Sequence, residues 1–368
     1  MKRVCVVTLG PPDAPSETFI RAHVRYLPAE TVLLHGPVPH TAGRPVLSRP
    51  ARALAKLGAA LSPSQRAAEG ARTCAYRAFF RRFRPHAALA EYGPTAVALL
   101  DACRAEGVPL IAHFHGYDAS VRDVVEKHRD GYRRVFAEAK AVIAVSKEMR
   151  RALVAMGAPE RSTHTIPCGA EVANLQAADP ARAPMVALAV GRFVEKKGPH
   201  LTLLAFARAL EQAPGARLRM IGDGPLLGAC KALARGLRVE EAVSFLGSRP
   251  HEEVQREMSA ARVFVQHSVV AMDGDMEGTP VAVVEAQAAG LPVVATRHGG
   301  ISDVVLEEQT GALVDEADIG AMANHVARFF LDADYAGRIG RAAREHALAS
   351  LTTEASIGRL WKVIDTCS

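Results

Sequence analysis

The chain has 368 residues, enough for two domains of ordinary size, and its 49% hydrophobic and 23% charged residues are those of an ordinary water-soluble globular protein. Its net charge of +6 is unevenly spread: residues 1–180 hold 25 Lys and Arg against 16 Asp and Glu, whereas residues 181–368 hold 20 against 23. No apolar run approaches the ~20 residues of a membrane-spanning helix, and the six scattered cysteines form no C-x-x-C pair, which argues against structural zinc and fits reduced thiols in a cytosolic protein.

Strand-like and helix-like stretches alternate from the start. RVCVVTLG reads as a first strand rather than as part of a signal peptide, TFIRAHVRYL as a helix and ETVLLHG as a strand. Residues 47–84 are rich in Ala and Arg and helical in flavour. AALAEYG, PLIAHFHG and AVIAVS read as strands, separated by the helical PTAVALLDACRAEG and DGYRRVFAEAK. KEMRRALVAMG is a further helix, and STHTIPCG a final strand and turn. Residues 170–184, with two prolines, interrupt the pattern and read as a linker. The alternation restarts with MVALAVG, a helix from Pro199, RLRMIGDG, LLGACKALARGL, AVSFLGS, HEEVQREMSA and RVFVQHS. It ends with a helix after Pro280, LPVVAT and GALVD. Repeated strand–helix units predict parallel sheets covered on both faces. Two such domains leave a cleft between them, and ligands of open parallel sheets bind beyond the carboxyl ends of the strands. The loops after strands are therefore the places to look for chemistry.

Four loops carry candidates. In AVGRFVEKKGPHL, Arg192, Lys196 and Lys197 precede a helix whose dipole disfavours positive charge there. A bound phosphate reverses that sign and a solvated basic loop needs none; the residues alone leave both open. In IGDGPLLG, Gly222 and Gly224 suggest a dinucleotide fingerprint, but Leu227 stands where the third glycine is required, so a tight turn near a ligand base is the better reading. In HFHGYD, His113 and His115 alternate by two. A His-x-His pair can bind metal, but a third ligand at matched spacing is not evident, so polar recognition suits His115 better and a core role remains open for His113. In MEGTPVAVVEAQAAG, Glu285 sits inside an apolar helix and Glu277 lies eight residues earlier. Glu is rarely buried without a partner, so Glu285 either points to water or receives a polar ligand. No G-x-S-x-G elbow, P-loop or Cys/His nucleophile pair is present.

GRFVEKKG, GDGPL and above all DGDMEGTPVAVVEAQAAGLPVVATRHGGISDVV resemble the carboxyl half of the family 4 retaining glycosyltransferases of the GT-B fold. Glu277 and Glu285 match the family's E-x7-E motif. PSETFI and the acidic MDGDMEG resemble the subgroup that builds exopolysaccharide and colanic-acid-type chains. The match is specific over roughly residues 186–315 and thinner in the first half, where it rests on the first strand and loop, SETFI and HFHGYD.

The resemblance implies an α/β protein with two Rossmann-like domains, parallel sheets facing across a cleft. Residues 1–170 form the acceptor side, residues 184–349 bind the donor, and a last helix of about 350–368, carrying Trp361, packs back on the first domain. It implies a nucleotide-diphosphate sugar as donor and no metal. Glu285 receives the ribose hydroxyls, and Glu277 the hydroxyls of the donor sugar. Backbone around Gly278, Thr279 and Pro280 approaches the diphosphate. Arg192 and Lys197 neutralise the leaving group, His115 stands near the reaction centre, and Gly10 lets the first loop approach the phosphate. Asp273 and Asp275 are then loop or sugar-facing residues. Thr279 departs from the aliphatic residue common in the subgroup, so donor preference does not carry over.

The acceptor is expected to be a saccharide or lipid-linked sugar met by the basic half. ARTCAYRAFFRRF, residues 72–84, either lies on an anionic membrane surface or packs its aromatics into the core. Nucleic acid is not expected, since no recognition motif accompanies the charge. The expected location is cytoplasmic, with possible peripheral contact at the inner face of the membrane. The alternatives are a nucleotide-sugar epimerase of the same fold and an inactive nucleotide-sugar-binding protein.

Overall fold

A computed structural model describes residues 1–11, 17–36, 39–41, 44–45, 65–172 and 175–368. Pro15 and Ser16 of the PSETFI stretch and residues 47–64 of the Ala/Arg-rich stretch lie outside the described residues. The chain divides into two compact units: Met1–Ile166 with Ile357–Ser368, and Pro167–Ser356. Residues 170–184, read as a linker, fall within the second unit.

The first unit holds β1 (Arg3–Thr8), β2 (Glu30–His35), β3 (His40–Thr41), β4 (Arg44–Pro45), β5 (Ala87–Glu91), β6 (Leu110–Phe114), β7 (Ala141–Ala144) and β8 (Thr163–Thr165). Their order in the sheet is β4-β3-β2-β1-β5-β6-β7-β8. The strands from β2 through β8 pair in parallel. The expectation of a purely parallel sheet needs one correction: β3 and β4 add an antiparallel edge. These two-residue strands carry no hydrophobic alternation that a sequence pattern could detect.

Central strands buried on both faces need continuous apolar runs, and β1 supplies one: Val4, Cys5, Val6 and Val7 are fully buried. The final helix, Thr353–Cys367, contributes Ile357, Leu360 and Ile364 to this unit's core, and Trp361 packs partly buried against it. Each buried aliphatic side chain contributes about 1.5–3 kcal/mol. Lys2 Nζ ties the end of the chain to β1 through Asp365, at 3.0 Å.

The Gln65–Phe83 helix packs two of its aromatics into the core. Tyr76 and Phe80 are core residues, while Phe79 and Phe83 are half-buried. Arg77 and Arg81 both pair with Glu106, at 2.7 and 2.9 Å. The helix spends its apolar face on packing, and no described helix is long and apolar enough to cross a membrane.

The second unit holds β9 (Val186–Val190), β10 (Arg217–Ile221), β11 (Val243–Gly247), β12 (Val263–Gln266), β13 (Val293–Thr296) and β14 (Gly311–Val314), in the order β11-β10-β9-β12-β13-β14. Every pairing is parallel. Renumbered within the unit this is 3-2-1-4-5-6, the doubly wound order whose ligands bind where the order reverses, here between β9 and β12. The loops after those two strands carry Arg192, Lys197 and Glu277. In the first unit β1 is followed by β2 on one side and β5 on the other. The reversal there places the loop with Gly10 beside the end of β5, which is Glu91.

Candidate functional site

In the second unit, the loop after β9 is built against the loop after β10. Phe193 N donates to Asp223 O at 2.8 Å, Gly191 N to Ile221 O at 2.9 Å and Leu226 N to Phe193 O at 3.0 Å. Gly222 and Gly224 have φ of +138° and +151°, and a Cβ on them would stand 1.9 Å from Gly191 O and 2.6 Å from Phe193 O. Only glycine permits that approach. The two glycines thus shape the backbone that presents Arg192, and the failed fingerprint has a structural reason for both. Arg192 is exposed and makes no ion pair among the described residues.

Residues Glu195–Lys197 form a single 3-10 turn, followed through Gly198 by the Pro199–Gln212 helix. The two lysines are not left unpaired against the helix dipole, as a reading of the loop in isolation suggests. Lys196 Nζ meets Asp275 at 3.0 Å and Lys197 Nζ meets Glu277 at 3.0 Å. Asp273 accepts from Asp275 N at 2.8 Å, so both aspartates are engaged in holding the loop. The stem of Lys197 lies over Gly191, and Arg192 and Lys197 line the same small pocket.

Glu277 is buried, with one oxygen on Lys197 and the other, Oε1, without a partner among the described residues. Burial pushes its pKa up, but the charges of Lys197 and Lys196 outweigh burial and hold it below the usual range. Its backbone N–H donates to His298 Nε2 at 3.1 Å, and His298 Nδ1 stands 2.6 Å from Glu316. His298 therefore fixes the Glu277 backbone, a role not visible in its residue type or spacing.

Gly278 is buried, and Thr279 accepts through Oγ1 from Cys168 N at 3.2 Å, so the distinguishing hydroxyl of Thr279 has a structural use. Pro280 caps the Val281–Ala289 helix, which Gly290 ends at φ +91°. That helix has no side-chain cap at its N-terminus; Val283 N and Val284 N turn back to Pro280 O at 2.9 and 3.4 Å, and no capping side chain takes the N–H groups before them. Glu285 lies in its middle. Burial, with repulsion from Glu171, raises its pKa to about 7. His251 Nδ1 is 3.9 Å from its Oε1, beyond hydrogen-bond reach.

In the first unit, His115 follows β6 directly. Its Nε2 stands 2.7 Å from Glu91 Oε2, and Glu91 Oε1 stands 2.6 Å from His23 Nδ1. His113 Nδ1 is 3.4 Å from Glu91 Oε2. The four side chains are almost fully buried. The sequence offered His113 and His115 but neither His23 nor Glu91, which arrive from a helix and a strand far along the chain. The HFHGYD loop is held by Asp118, which accepts from the N–H groups of His115, Gly116 and Gly93 at 3.0, 2.9 and 2.8 Å. Gly10 N donates to Thr8 Oγ1 at 3.1 Å, and a Cβ at Gly10 would meet nothing closer than 3.5 Å. Sterics therefore do not demand glycine at position 10.

Two doubly wound sheets in one chain, with charged loops at the switch point of each, define the scaffold class of the GT-B glycosyltransferases. Among solved structures, Anabaena HepE in complex with UDP matches over 100% of both chains with a TM-score of 0.76 at 17% identity, a likeness of fold. Residues 3–174 match the family profile "Glycosyltransferase Family 4" and residues 176–346 the profile "Glycosyl transferases group 1". The chain belongs to glycosyltransferase family 4.

It is 34% identical over 270 residues, 72% of this chain and 66% of the relative, to the putative colanic acid biosynthesis glycosyltransferase WcaL of Escherichia coli K12. It is 30% identical over 256 residues, 67% of each chain, to the GDP-mannose-dependent alpha-(1-6)-phosphatidylinositol monomannoside mannosyltransferase of Mycolicibacterium smegmatis. The matched stretch spans about half to two thirds of the first curated relatives' length.

Proposed function

We propose that the protein is a retaining glycosyltransferase. It moves a sugar from a nucleoside-diphosphate sugar to a saccharide or lipid-linked acceptor in surface-polysaccharide or glycolipid synthesis. The observation that carries this reading is Glu277: an ionised, buried carboxylate with one oxygen on Lys197 and one oxygen unpartnered. An unpaired buried acceptor costs about 1–3 kcal/mol, and a sugar hydroxyl donating to Oε1 recovers it.

The neighbours supply the other parts. Arg192 and Lys197 neutralise the departing diphosphate, which takes the proton of the acceptor hydroxyl attacking on the same face, so charge stabilisation and positioning carry the catalysis. In this reading the two cations do the work of a metal, and none is required. The uncapped helix N-terminus after Gly278, Thr279 and Pro280 approaches the diphosphate; Gly10 and His115 are the candidate site residues of the first unit. Two ribose hydroxyls donate to Glu285, whose carboxylate lacks a hydrogen-bonded cation. The UDP bound to HepE and the GDP-mannose of the mycobacterial relative support a nucleotide sugar. The names of the colanic acid and phosphatidylinositol mannoside relatives support polysaccharide and glycolipid acceptors. A lipid-linked acceptor would bring a cytoplasmic enzyme to the inner membrane surface, for which the basic charge of residues 1–180 is suited.

A donor screen tests the reading. Purified protein is incubated with UDP-, GDP-, ADP- and dTDP-sugars while nucleotide release and thermal shift are followed. One nucleotide sugar is expected to stabilise the protein and to be slowly hydrolysed, with both effects lost in Glu285→Ala and Lys197→Ala. No response to any donor would overturn it.

A further inference from the structure

His115 is held by more than a donor-site motif requires. Its ring stacks on Phe19 at a centroid distance of 4.0 Å and meets Tyr92 edge-on at 5.0 Å. Glu91 grips one ring nitrogen, Nε2, and the other, Nδ1, is buried with no partner. Hydrogen-bond logic then assigns the tautomer. An ionised carboxylate only accepts, so a ring nitrogen 2.7 Å from it carries the proton. In a neutral imidazole the other nitrogen is then a bare acceptor.

We propose that Glu91 is a positioning residue: it fixes His115 as the Nε2–H tautomer, so that Nδ1 accepts a hydrogen bond from a hydroxyl of the bound saccharide. The inference rests on the glycosyltransferase reading above and deepens it by naming the atom and its polarity. His115 then recognises a hydroxyl as a neutral acceptor rather than as a cation.

The surrounding charges agree. Burial pushes the His115 pKa down to about 3, with His113 adding to the effect, so the ring is neutral at pH 7. Burial pushes Glu91 up, but electrostatic interaction with His23 and the hydrogen bonds of the ring nitrogens hold it well below the carboxylate range. Glu17 is occupied by Tyr92 OH at 3.0 Å, and Asp118 by three backbone N–H groups. Tyr117 and Tyr92 have pKa values raised by burial, so both stay neutral. Among the described residues, Glu91 is thus the one carboxylate on a His115 ring nitrogen.

His23, Glu91 and His113 also meet the spacing of a metal triad. Within that triad His113 Nδ1 stands 3.4 Å from Glu91 Oε2, but His23 Nδ1 lies 2.6 Å from Glu91 Oε1, a hydrogen-bond distance and shorter than the about 3.3 Å that separates two donors on one tetrahedral zinc. Glu91 Oε2 is moreover taken by His115 Nε2 at 2.7 Å.

The test combines a measurement that needs no activity with one that does. Long-range 15N–1H NMR of the full-length protein at pH 7 reads the His115 tautomer. Nε2–H is expected, and an Nδ1–H or doubly protonated ring overturns the proposal even if no donor is ever turned over. In the donor assay, Glu91→Gln offers His115 an amide donor. It is expected to lower kcat about tenfold, the worth of one lost hydrogen bond, with KM for the donor within about twofold.

Because Glu91 acts through His115, the double variant Glu91→Gln/His115→Ala should be no slower than His115→Ala alone. Glu91→Asp, which keeps the carboxylate, should recover part of the rate. Additive losses, a wild-type kcat in Glu91→Gln, or stoichiometric zinc in the purified protein that Glu91→Gln fails to bind would each overturn the assignment. Loss of all donor turnover in the wild type, with the Nε2–H tautomer intact, would instead count against the glycosyltransferase reading alone.

Discussion

Glu277 and Glu285 belong to one motif, eight residues apart in one unit, yet their surroundings push them in opposite directions. Glu277 sits in a loop where Lys196 and Lys197 arrive from the next switch-point loop, and its pKa falls. Glu285 sits on a helix packed among apolar residues with no cation at hydrogen-bond distance, and its pKa rises to about 7. Burial acts alike on both; the partner decides the sign. A protein that leaves one buried carboxylate oxygen unpartnered and a second carboxylate without a hydrogen-bonded cation, among the described residues, has set aside hydrogen-bonding capacity for something else.

The largest effect expected from breaking this contrast is at Lys197. Lys197→Ala removes the cation that keeps Glu277 ionised and, in the proposed reaction, one of two charges on the leaving diphosphate. A kcat loss of about 10²–10³-fold is expected, measured as nucleotide release at saturating donor. A loss below about tenfold would break the pairing between Glu277 chemistry and Lys197.

The next effect concerns stability and pH. Glu285 has a folded pKa of about 7 against an ordinary value of 4.5. The folded state therefore binds the extra proton between those values, and the wild type loses stability as pH rises through that window. Glu285→Gln removes the cost. The variant should match the wild type near pH 4 and exceed it at pH 8 by about 3 kcal/mol at most, read from denaturant midpoints at the two pH values. A variant equal to the wild type at pH 8 would mean that Glu285 is solvated after all.

The smallest effect tests the scaffold under the site. Gly222→Ala places a Cβ against Gly191 O, so the two loops must part. A loss of about 1–3 kcal/mol is expected, with weaker nucleotide binding and an unchanged Glu277–Lys197 pair. Unaltered stability would show that the loops tolerate separation and that their lacing does not hold Arg192.

The sheet plan was legible because buried parallel strands need apolar runs such as VCVV of β1 and VVAT of β13, and because Gly198–Pro199 and Gly290 mark helix limits. The edge strands β3 and β4 were not, since two-residue strands have no period to read. At the site, Arg192, Lys197 and Glu277 stand in loops whose residue types already look misplaced for a bland surface. The counterions that Asp275 and Glu277 supply to the lysines lie some eighty residues away and emerge only with the fold. His23 and Glu91 were invisible for the same reason. Each is unremarkable in its own segment, and their meaning comes from the β1–β5–β6 adjacency that carries both to the rings of His113 and His115. His298 was hidden inside RHGG, where a backbone contact leaves no mark in residue type.

The most direct measurement is the proton count on donor binding, by calorimetry in buffers of different ionisation enthalpy between pH 5.5 and 8. If the ribose hydroxyls of a nucleotide sugar donate to Glu285, they favour its ionised form. Binding should then release up to about one proton near pH 6–7, and affinity should rise with pH until about 7. Both effects should vanish in Glu285→Gln. Nucleotide-sugar binding with no proton released and no pH dependence in that window would contradict the role assigned to Glu285, and with it the account of the donor site.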